Sequence, residues 1–328
     1  MVSGEHQRFA KNVAALLGGE LEAARPIGEA ILYLKLKDGR ELVAKGVARQ
    51  SLASWRPGQA WAELVALDAL NEVDAPVPKL VAADLHHGWL VEEFVAGDTL
   101  AKLLAHPPPG AFRSLTRGLF RLEEAFAAQW DILERWAAPP GESDRRLAEL
   151  VTPLLDAKAR QAWTELAAEA TSASVFRPGP LDVRSANVVL ARDVTFLDMA
   201  SYGYDVTEKR LAAYAQIAGG APASLLDQES YRFYQGFYSE EAALRLAFYD
   251  FLFWGIGLLR LVAAAKAPTS RAAKAVREQW GKPGRLLPRY LAMWERERIA
   301  EPRIERLRQG LVSLKEAHAR WGITSTGE

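Results

Sequence analysis

Two aspartates and one asparagine stand at a spacing that suits chemistry on a phosphoryl group. Asp182 is followed five residues later by Asn187, and Asp198 comes after two short apolar stretches, 188–191 and 194–197. Phosphoryl transfer needs a carboxylate that orients the attacking hydroxyl and oxygen ligands that hold Mg²⁺ across the β- and γ-phosphates. Because Mg²⁺ prefers carboxylate and amide oxygens, we expect Asp182 to act on the hydroxyl and the other two residues to bind the metal.

The two apolar stretches are predicted to form a hairpin. Such a hairpin brings Asn187 and Asp198 to the same end, which a shared metal ion requires. Arg184 lies between Asp182 and Asn187. A guanidinium at this position is able to donate a forked pair of hydrogen bonds to a γ-phosphate. The alternative is an ordinary salt bridge at the surface, and the sequence leaves both interpretations open.

The elements that position these residues fall into two parts. The first part is strand-rich, with Asp38-Gly39 as a strong hairpin signal. After Gly97 the patterns become helical, apart from one extended stretch that contains the three polar residues. The strands are predicted at 21–27, 30–37, 41–47, 79–83 and 88–95, and the helices at 9–17, 59–71, 99–105, 112–137, 144–170 and through most of the chain after 211.

This order predicts an α+β fold with two lobes. Residues 1–93 form the N-lobe, a small antiparallel β-sheet with one main helix that binds the nucleotide. Residues 94–328 form a larger and mostly helical C-lobe with the catalytic loop and the substrate site. The hinge is placed at about 92–97.

Five segments together resemble the aminoglycoside phosphotransferase and choline kinase branch of the protein-kinase-like superfamily. Their order and spacing match that branch over roughly residues 15–210. The D-x-x-x-x-N pattern with a downstream Asp is similar to the catalytic loop and metal-binding Asp of the superfamily. The segments are Gly39-Arg-Glu-Leu-Val-Ala-Lys45, the helix with Glu63, Leu90-Val-Glu-Glu-Phe-Val-Ala-Gly97, Asp182 to Asn187, and Leu197-Asp198-Met-Ala-Ser-Tyr-Gly-Tyr.

The resemblance implies an ATP- and Mg²⁺-dependent phosphotransferase that acts on a small-molecule hydroxyl. Lys45, oriented by Glu63, contacts the α- and β-phosphates, and backbone groups of Glu93 and Val95 hold the base of ATP or another nucleoside triphosphate. Gly28 is the single glycine of the nucleotide loop. Residues 94–265 contain 21 Asp and Glu against 17 Lys and Arg. This mild acidity is compatible with a cationic or amino-bearing acceptor such as an amino sugar or an amino alcohol, and the resemblance also allows a sugar.

The chain departs from the family pattern just before Asp182. Pro180 and Leu181 stand where the family usually has His-Gly, and that His braces the catalytic loop. The loop near Gly28 also lacks the G-x-G-x-x-G pattern. These departures favour the alternative function, a pseudokinase or nucleotide-binding regulatory protein with a degenerate catalytic loop.

Composition restricts the remaining possibilities. The chain has no Cys, which excludes thiol nucleophiles and thiolate metal sites, and 49% of its 328 residues are hydrophobic. The N-terminus lacks the profile of a signal peptide, and the uncharged run Phe251–Leu259 is too short to span a bilayer. We therefore expect a cytoplasmic protein without a membrane association.

The C-terminal part of the chain is basic. From Lys266 to the end there are 14 Lys and Arg against 7 Asp and Glu. A basic helical tail is able to bind nucleic acid. The signs alternate along this segment, however, which is typical of a solvated helix face and argues against a nucleic-acid partner.

Overall fold

The first 93 residues form an antiparallel sheet of five strands. Its order is β1-β2-β3-β5-β4. The computed structural model describes residues 4–277 except 29–30, 47–56, 85–88, 140–143, 153–154, 173, 217–223, 268, 272 and 275–276, so most of the predicted basic tail lies outside the described residues. The five strands are β1 (Leu21–Gly28), β2 (Ile31–Leu36), β3 (Glu41–Lys45), β4 (Leu80–Asp84) and β5 (Trp89–Glu93).

The two faces of this sheet have different roles. The turn between β2 and β3 contains Gly39 at φ 91°, a left-handed conformation that glycine adopts without strain. Alternate residues of β2, such as Leu32 and Leu34, face helix α1 (Gly4–Leu16) and form a small core with it. The side chains on the opposite face, including Lys45, are therefore free to line a cleft.

Helix α2 (Pro57–Glu72) connects the sheet to the rest of the molecule. Its residues Ala66 and Leu70 are fully buried in the main core, which also contains buried side chains from the described helices that follow the sheet. At the far end of the cleft, Trp61 of α2 stacks on Trp136, with ring centroids 6.1 Å apart and an interplanar angle of 12°. The two rings are 45% and 40% exposed, so they form a contact between the lobes at the surface.

The C-terminal part is mostly helical and contains two small sheets. One sheet has the order β6-β8-β9 and the other pairs β10 with β7. The strands are β6 (Asp98–Thr99), β7 (Phe176–Pro180), β8 (Val188–Leu190), β9 (Val194–Phe196) and β10 (Tyr202–Val206), and the helices are α3 (Leu100–Leu103), α4 (Ala111–Ala128), α5 (Trp130–Leu133), α6 (Asp144–Val151), α7 (Ala157–Ser172), α8 (Thr207–Ala215), α9 (Gln228–Phe237) and α10 (Glu240–Lys266).

The structure corrects two of the predicted helices. The helix predicted at 112–137 is interrupted at Gln129, whose φ of −107° and ψ of 11° leave the helical region. The helix predicted at 144–170 is two helices, α6 and α7. Asp156 accepts a hydrogen bond from the Ala159 backbone N–H at 2.7 Å, which is the side-chain cap of a new helix rather than the interior of a continuous one.

Helix α10 is the single described helix that is long and apolar enough to cross a membrane. The candidate span runs from Glu240 to Ala264, and 72% of its most apolar window is buried inside the protein. The run Phe251–Leu259 is thus part of a longer helix than the sequence indicated. Asp250 does not interrupt it, because Gln216 and Tyr231 donate hydrogen bonds to its carboxylate. This packing is typical of a core helix.

Candidate functional site

The loop that contains Asp182 is closed by hydrogen bonds to the chain on either side of it. The Leu181 N–H donates to the Ser201 carbonyl at 2.9 Å, and the Leu197 N–H donates to the Asn187 carbonyl at 2.7 Å. Since β8 and β9 pair directly between these residues, Asn187 and Asp198 lie at the same end of the hairpin. The sequence predicted this arrangement from the two apolar stretches.

Arg184 links the two aspartates. Its Nη2 atom hydrogen-bonds to Oδ2 of Asp182 and lies 3.9 Å from Oδ2 of Asp198. The hydrogen bond to Asp182 and the charges of both carboxylates raise the pKa of Arg184. The sequence left open whether Arg184 binds a γ-phosphate or forms an ordinary salt bridge. The structure shows a salt bridge, and this salt bridge lies within the candidate site itself. The side chains of Asp182, Asp198 and Arg184 are 36%, 40% and 55% exposed, so a ligand can reach them.

Lys45 lies across the cleft and is held by two carboxylates. Its Nζ atom is 2.5 Å from Oε1 of Glu63 and 3.1 Å from Oε1 of Glu92. Burial on its own would lower the pKa of Lys45, but Glu63 and Glu92 outweigh this effect and raise it, with a further contribution from Asp198. Burial raises the pKa of Glu63. Asp198 is thus close enough to Lys45 to contribute to the raised pKa of Lys45, so the two residues face the same cleft.

The remaining predicted residues lie on the same face of the sheet or at the C-terminal end of β5. Gly28 pairs with Ile31, and Ile31 pairs with Lys45, so Gly28 is two strands from Lys45, about 10 Å away at ordinary strand spacing. Glu93 is the last residue of β5. The Val95 N–H, just beyond it, has no hydrogen-bond partner among the described residues. A free donor at this position suits a ligand beside the C-terminal end of β5, an interior strand of the sheet.

A buried ion pair that sequence reasoning missed supports the loop that contains Asp182. Arg210 and Glu123 have fully buried side chains and pair at 2.7 Å. Arg210 also donates to three backbone carbonyls that flank the loop, at 2.8 Å to Pro180, 3.0 Å to Arg177 and 2.9 Å to Gly203. These bonds connect β7 and β10 to α4 and α8. They brace the segment before Asp182, where the sequence lacks the family His.

Gly179→Ala is expected to lower the stability of the fold through this same ion pair. A Cβ atom at position 179 would lie 2.9 Å from Cζ and 3.0 Å from Nη1 of Arg210, and Arg210 is fixed by its hydrogen bonds. Overpacking of this kind typically costs about 1–3 kcal/mol. Thermal unfolding measures the effect, with Gly110→Asn as the matched control because Gly110 has open space around it and a left-handed φ of 76° that Asn tolerates. Equal melting temperatures for Gly179→Ala and wild type would contradict the expectation.

The residues present fit a Mg²⁺ ion that is shared with a nucleotide. Asn187 donates its Nδ2 hydrogen to the Asp182 carbonyl at 3.1 Å, which leaves its Oδ1 for a cation. Asp198 is exposed and already attracts the cationic Arg184. In the described part of the chain, no three His, Cys, Asp or Glu side chains form a complete metal site. Mg²⁺ is usually held by one or two carboxylates together with phosphate oxygens, so a complete protein cage is not needed.

Solved structures with the same fold are phosphotransferases. A macrolide 2'-phosphotransferase type I is 13% identical, with a TM-score of 0.51 over 85% of this chain and 98% of that chain. The GDP complex of aminoglycoside 2'-phosphotransferase-IIIa is 12% identical, with a TM-score of 0.54 over 84% and 97% of the two chains. No protein-family model matches this chain, and no curated protein does. The similarity confirms the predicted two-lobed, protein-kinase-like fold.

Proposed function

We propose that this protein is an ATP- and Mg²⁺-dependent phosphotransferase that acts on the hydroxyl of a small molecule. The observation that carries the proposal is the meeting of Asp182, Asn187 and Asp198 at one end of the β8–β9 hairpin, opposite the buried Lys45–Glu63 pair. No other cluster in the described residues combines an exposed carboxylate, free amide oxygen and a buried lysine. Both structures compared above are named as phosphotransferases, and one holds GDP, which supports a nucleotide site in this fold.

Each residue has a specific role in this proposal. Asp182 orients the acceptor hydroxyl and takes its proton, and Arg184 moves from Asp182 to the γ-phosphate. Asn187 and Asp198 hold Mg²⁺. Lys45, fixed by Glu63, contacts the α- and β-phosphates, while the backbone of Glu93 and Val95 holds the base and the backbone near Gly28 covers the phosphates. The bound nucleotide supplies the phosphoryl group, and Mg²⁺ neutralises charge that develops on its oxygens.

The acceptor is proposed to be an amino sugar, a sugar or an amino alcohol. The mild acidity of residues 94–265 supports an amino-bearing acceptor. The names of the compared proteins, which refer to an aminoglycoside and a macrolide, agree with a small-molecule acceptor. A cytoplasmic location without a nucleic-acid or membrane partner remains our expectation.

A panel assay tests the activity. ADP formation is measured with Mg²⁺ and ATP over a series of sugars, amino sugars and amino alcohols, together with thermal stabilisation by Mg²⁺·ATP. We expect Mg²⁺·ATP to raise the melting temperature of the protein. We also expect ADP formation that depends on the acceptor for at least one class of acceptor. Stabilisation without ADP formation from any acceptor would favour the alternative, a nucleotide-binding pseudokinase, which the missing His-Gly before Asp182 supports. The Arg210 brace argues against it, because the loop is held in place without the His.

Asp198→Asn is expected to remove the Mg²⁺-dependent part of nucleotide stabilisation. The substitution keeps the shape of the side chain but removes the charge that the metal site needs. The shift in melting temperature with ATP is compared with and without Mg²⁺. Asp193→Asn is the control, because Asp193 is exposed at the opposite end of the same hairpin. If Asp198→Asn kept the full Mg²⁺-dependent shift, Asp198 would not be a metal ligand.

A further inference from the structure

Glu92 is a buried carboxylate for which the proposed function has no role. It is only 4% exposed, and its Oε1 atom contacts Lys45 at 3.1 Å. Its Oε2 atom is buried and has no hydrogen-bond partner among the described residues. A buried oxygen without a donor destabilises the protein unless a ligand or water satisfies it. Lys45 already has Glu63 as a closer partner, so a second carboxylate is not required to hold it.

The register of the sheet locates Glu92 in relation to the phosphate-binding residues. Lys45 belongs to one cross-strand row, with Ile31 and Leu90 as neighbours. The next row towards the hinge lies two residues along each strand, about 7 Å away. Directly paired residues of antiparallel strands point to the same face, so this second row lines the cleft as well. It contains Arg25, Tyr33, Val43 and Glu92.

The second row has the composition of a site for a nucleobase. Tyr33 and Val43 are buried, yet neither belongs to the two core clusters of the described residues. Phe94 of the hinge contacts the edge of the Tyr33 ring, with centroids 4.9 Å apart. Arg25 covers one face of the Tyr33 ring, with its Cζ atom 4.7 Å from the ring centroid. The rest of this ring and Val43 supply the apolar contact, and the free oxygen of Glu92 is the polar group beside them. A nucleotide with its phosphates at Lys45 extends its base into this row.

The number of free oxygens on Glu92 decides which base fits. Phosphates are acceptors and are repelled by a carboxylate, so the partner of Oε2 must be a hydrogen-bond donor. Guanine presents two donors, N1–H and the 2-amino group, which are best matched by a carboxylate with both oxygens free. Only Oε2 is free, because Oε1 is engaged by Lys45. The 6-amino group of adenine needs a single acceptor, whereas the 6-oxo group of guanine or hypoxanthine places an acceptor against the negative charge.

We propose that Glu92 selects the base, with its Oε2 atom accepting a hydrogen bond from the 6-amino group of adenine. The cleft then takes adenine nucleotides in preference to inosine and guanine nucleotides. This inference rests on the proposed function, and it adds a specificity residue that the sequence pattern did not single out. A site built around a charged hydrogen bond discriminates strongly against an analogue that lacks the donor.

Binding of nucleoside diphosphates with Mg²⁺, measured by calorimetry, tests the inference. We expect the wild-type protein to bind ADP at least about tenfold more tightly than IDP, GDP and the diphosphate of 6-unsubstituted purine riboside. The last compound loses the donor without gaining an oxo group. We expect 2'-deoxy-ADP to bind like ADP, since a ribose hydroxyl is not the donor. Equal affinity for ADP and the 6-unsubstituted analogue would overturn the inference without any variant.

Glu92→Gln supplies the second comparison. Its amide nitrogen is able to donate to a 6-oxo group, so the ratio of the ADP and IDP affinities is expected to fall to about one or to invert. Glu63→Gln is the matched control, because Glu63 contacts the same Lys45 from helix α2. This substitution is expected to lower the affinities for ADP and IDP by the same factor. An unchanged ratio in Glu92→Gln would refute base selection while leaving the phosphotransferase proposal intact. If no nucleotide bound to the wild-type protein, both proposals would fail together.

Discussion

Asp182→Asn is expected to lower the turnover number for phosphoryl transfer by about 10²- to 10⁴-fold. The amide keeps the shape of the side chain and its place beside Arg184, but it cannot take a proton from the acceptor hydroxyl. The metal ligands and Lys45 are unchanged, so the affinity for Mg²⁺·ATP is expected to stay within a few-fold of the wild-type value. Loss of turnover without loss of nucleotide affinity is the signature of a group that acts on the acceptor.

Steady-state ADP formation with the best acceptor measures the turnover number, and nucleotide titration measures the affinity for Mg²⁺·ATP. Asp68→Asn serves as the control because Asp68 is exposed on α2. If Asp182→Asn turned over at the wild-type rate, Asp182 would not be the base. A variant that lost nucleotide affinity to the same extent would indicate a role for Asp182 in nucleotide binding.

Arg210→Met is expected to destabilise the protein by about 3–5 kcal/mol, the usual result of removing one partner of a buried ion pair. The substitution leaves the carboxylate of Glu123 buried, with the Thr207 hydroxyl as its one remaining donor among the described residues. It also removes the hydrogen bonds to the carbonyls of Arg177, Pro180 and Gly203. Burial already holds the pKa of Glu123 above its ordinary value, and the loss of the guanidinium raises this pKa further. The segment before Asp182 would lose its connection to α8.

Chemical denaturation or thermal unfolding measures the loss. The control is Arg121→Met, an exposed position on α4, which we expect to be nearly neutral. The double variant Arg210→Met with Glu123→Leu is expected to be more stable than Arg210→Met alone, because no unpaired charge remains in the core. Wild-type stability of Arg210→Met would contradict the interpretation of this pair as the brace of the catalytic loop.

The polar residues of the candidate site could be predicted because they stand in loops next to apolar strands. Asp182, Asn187 and Asp198 interrupt an extended stretch, and they stand in the expected order with the other segments that carry the resemblance. The Lys45–Glu63 pair followed from the resemblance to a family rather than from either residue alone. Its geometry in the structure is the one that the resemblance implied, although the catalytic roles of these residues remain predictions.

The residues that the sequence did not reveal are charged side chains within regular elements. Arg210 and Glu123 are charged residues on helices α8 and α4, and no sequence pattern marked either of them as buried. Their burial depends on a contact between α4 and α8. The residues that hydrogen-bond across this contact are 84 and 87 positions apart in the sequence. Glu92 follows an apolar run and precedes a second Glu, and only the sheet register shows that it faces Lys45.

The errors in the fold prediction have local causes. Gln129 interrupts a helical pattern without a glycine or proline to mark the break. Pro153 stands between α6 and α7 in the sequence, and proline is a helix-breaking signal that the prediction of one helix at 144–170 did not use. The short strands β6 and β10 were not predicted. β6 has two residues, and β10 follows Asp198, whose left-handed φ of 62° redirects the chain in a way that periodicity does not reveal.

The stacked rings of Trp61 and Trp136 have a consequence for how the cleft opens. Trp61 is on the same helix as Glu63, two residues away, so any rotation of that helix away from the C-lobe must first separate the indoles. Such a pair contributes about 0.5–1.5 kcal/mol beyond the area it buries, which lowers the population of a widened cleft by about 2- to 13-fold. The exposed indole pair thus favours the closed arrangement of the two lobes. It also helps to keep Glu63 beside Lys45 when no ligand is bound.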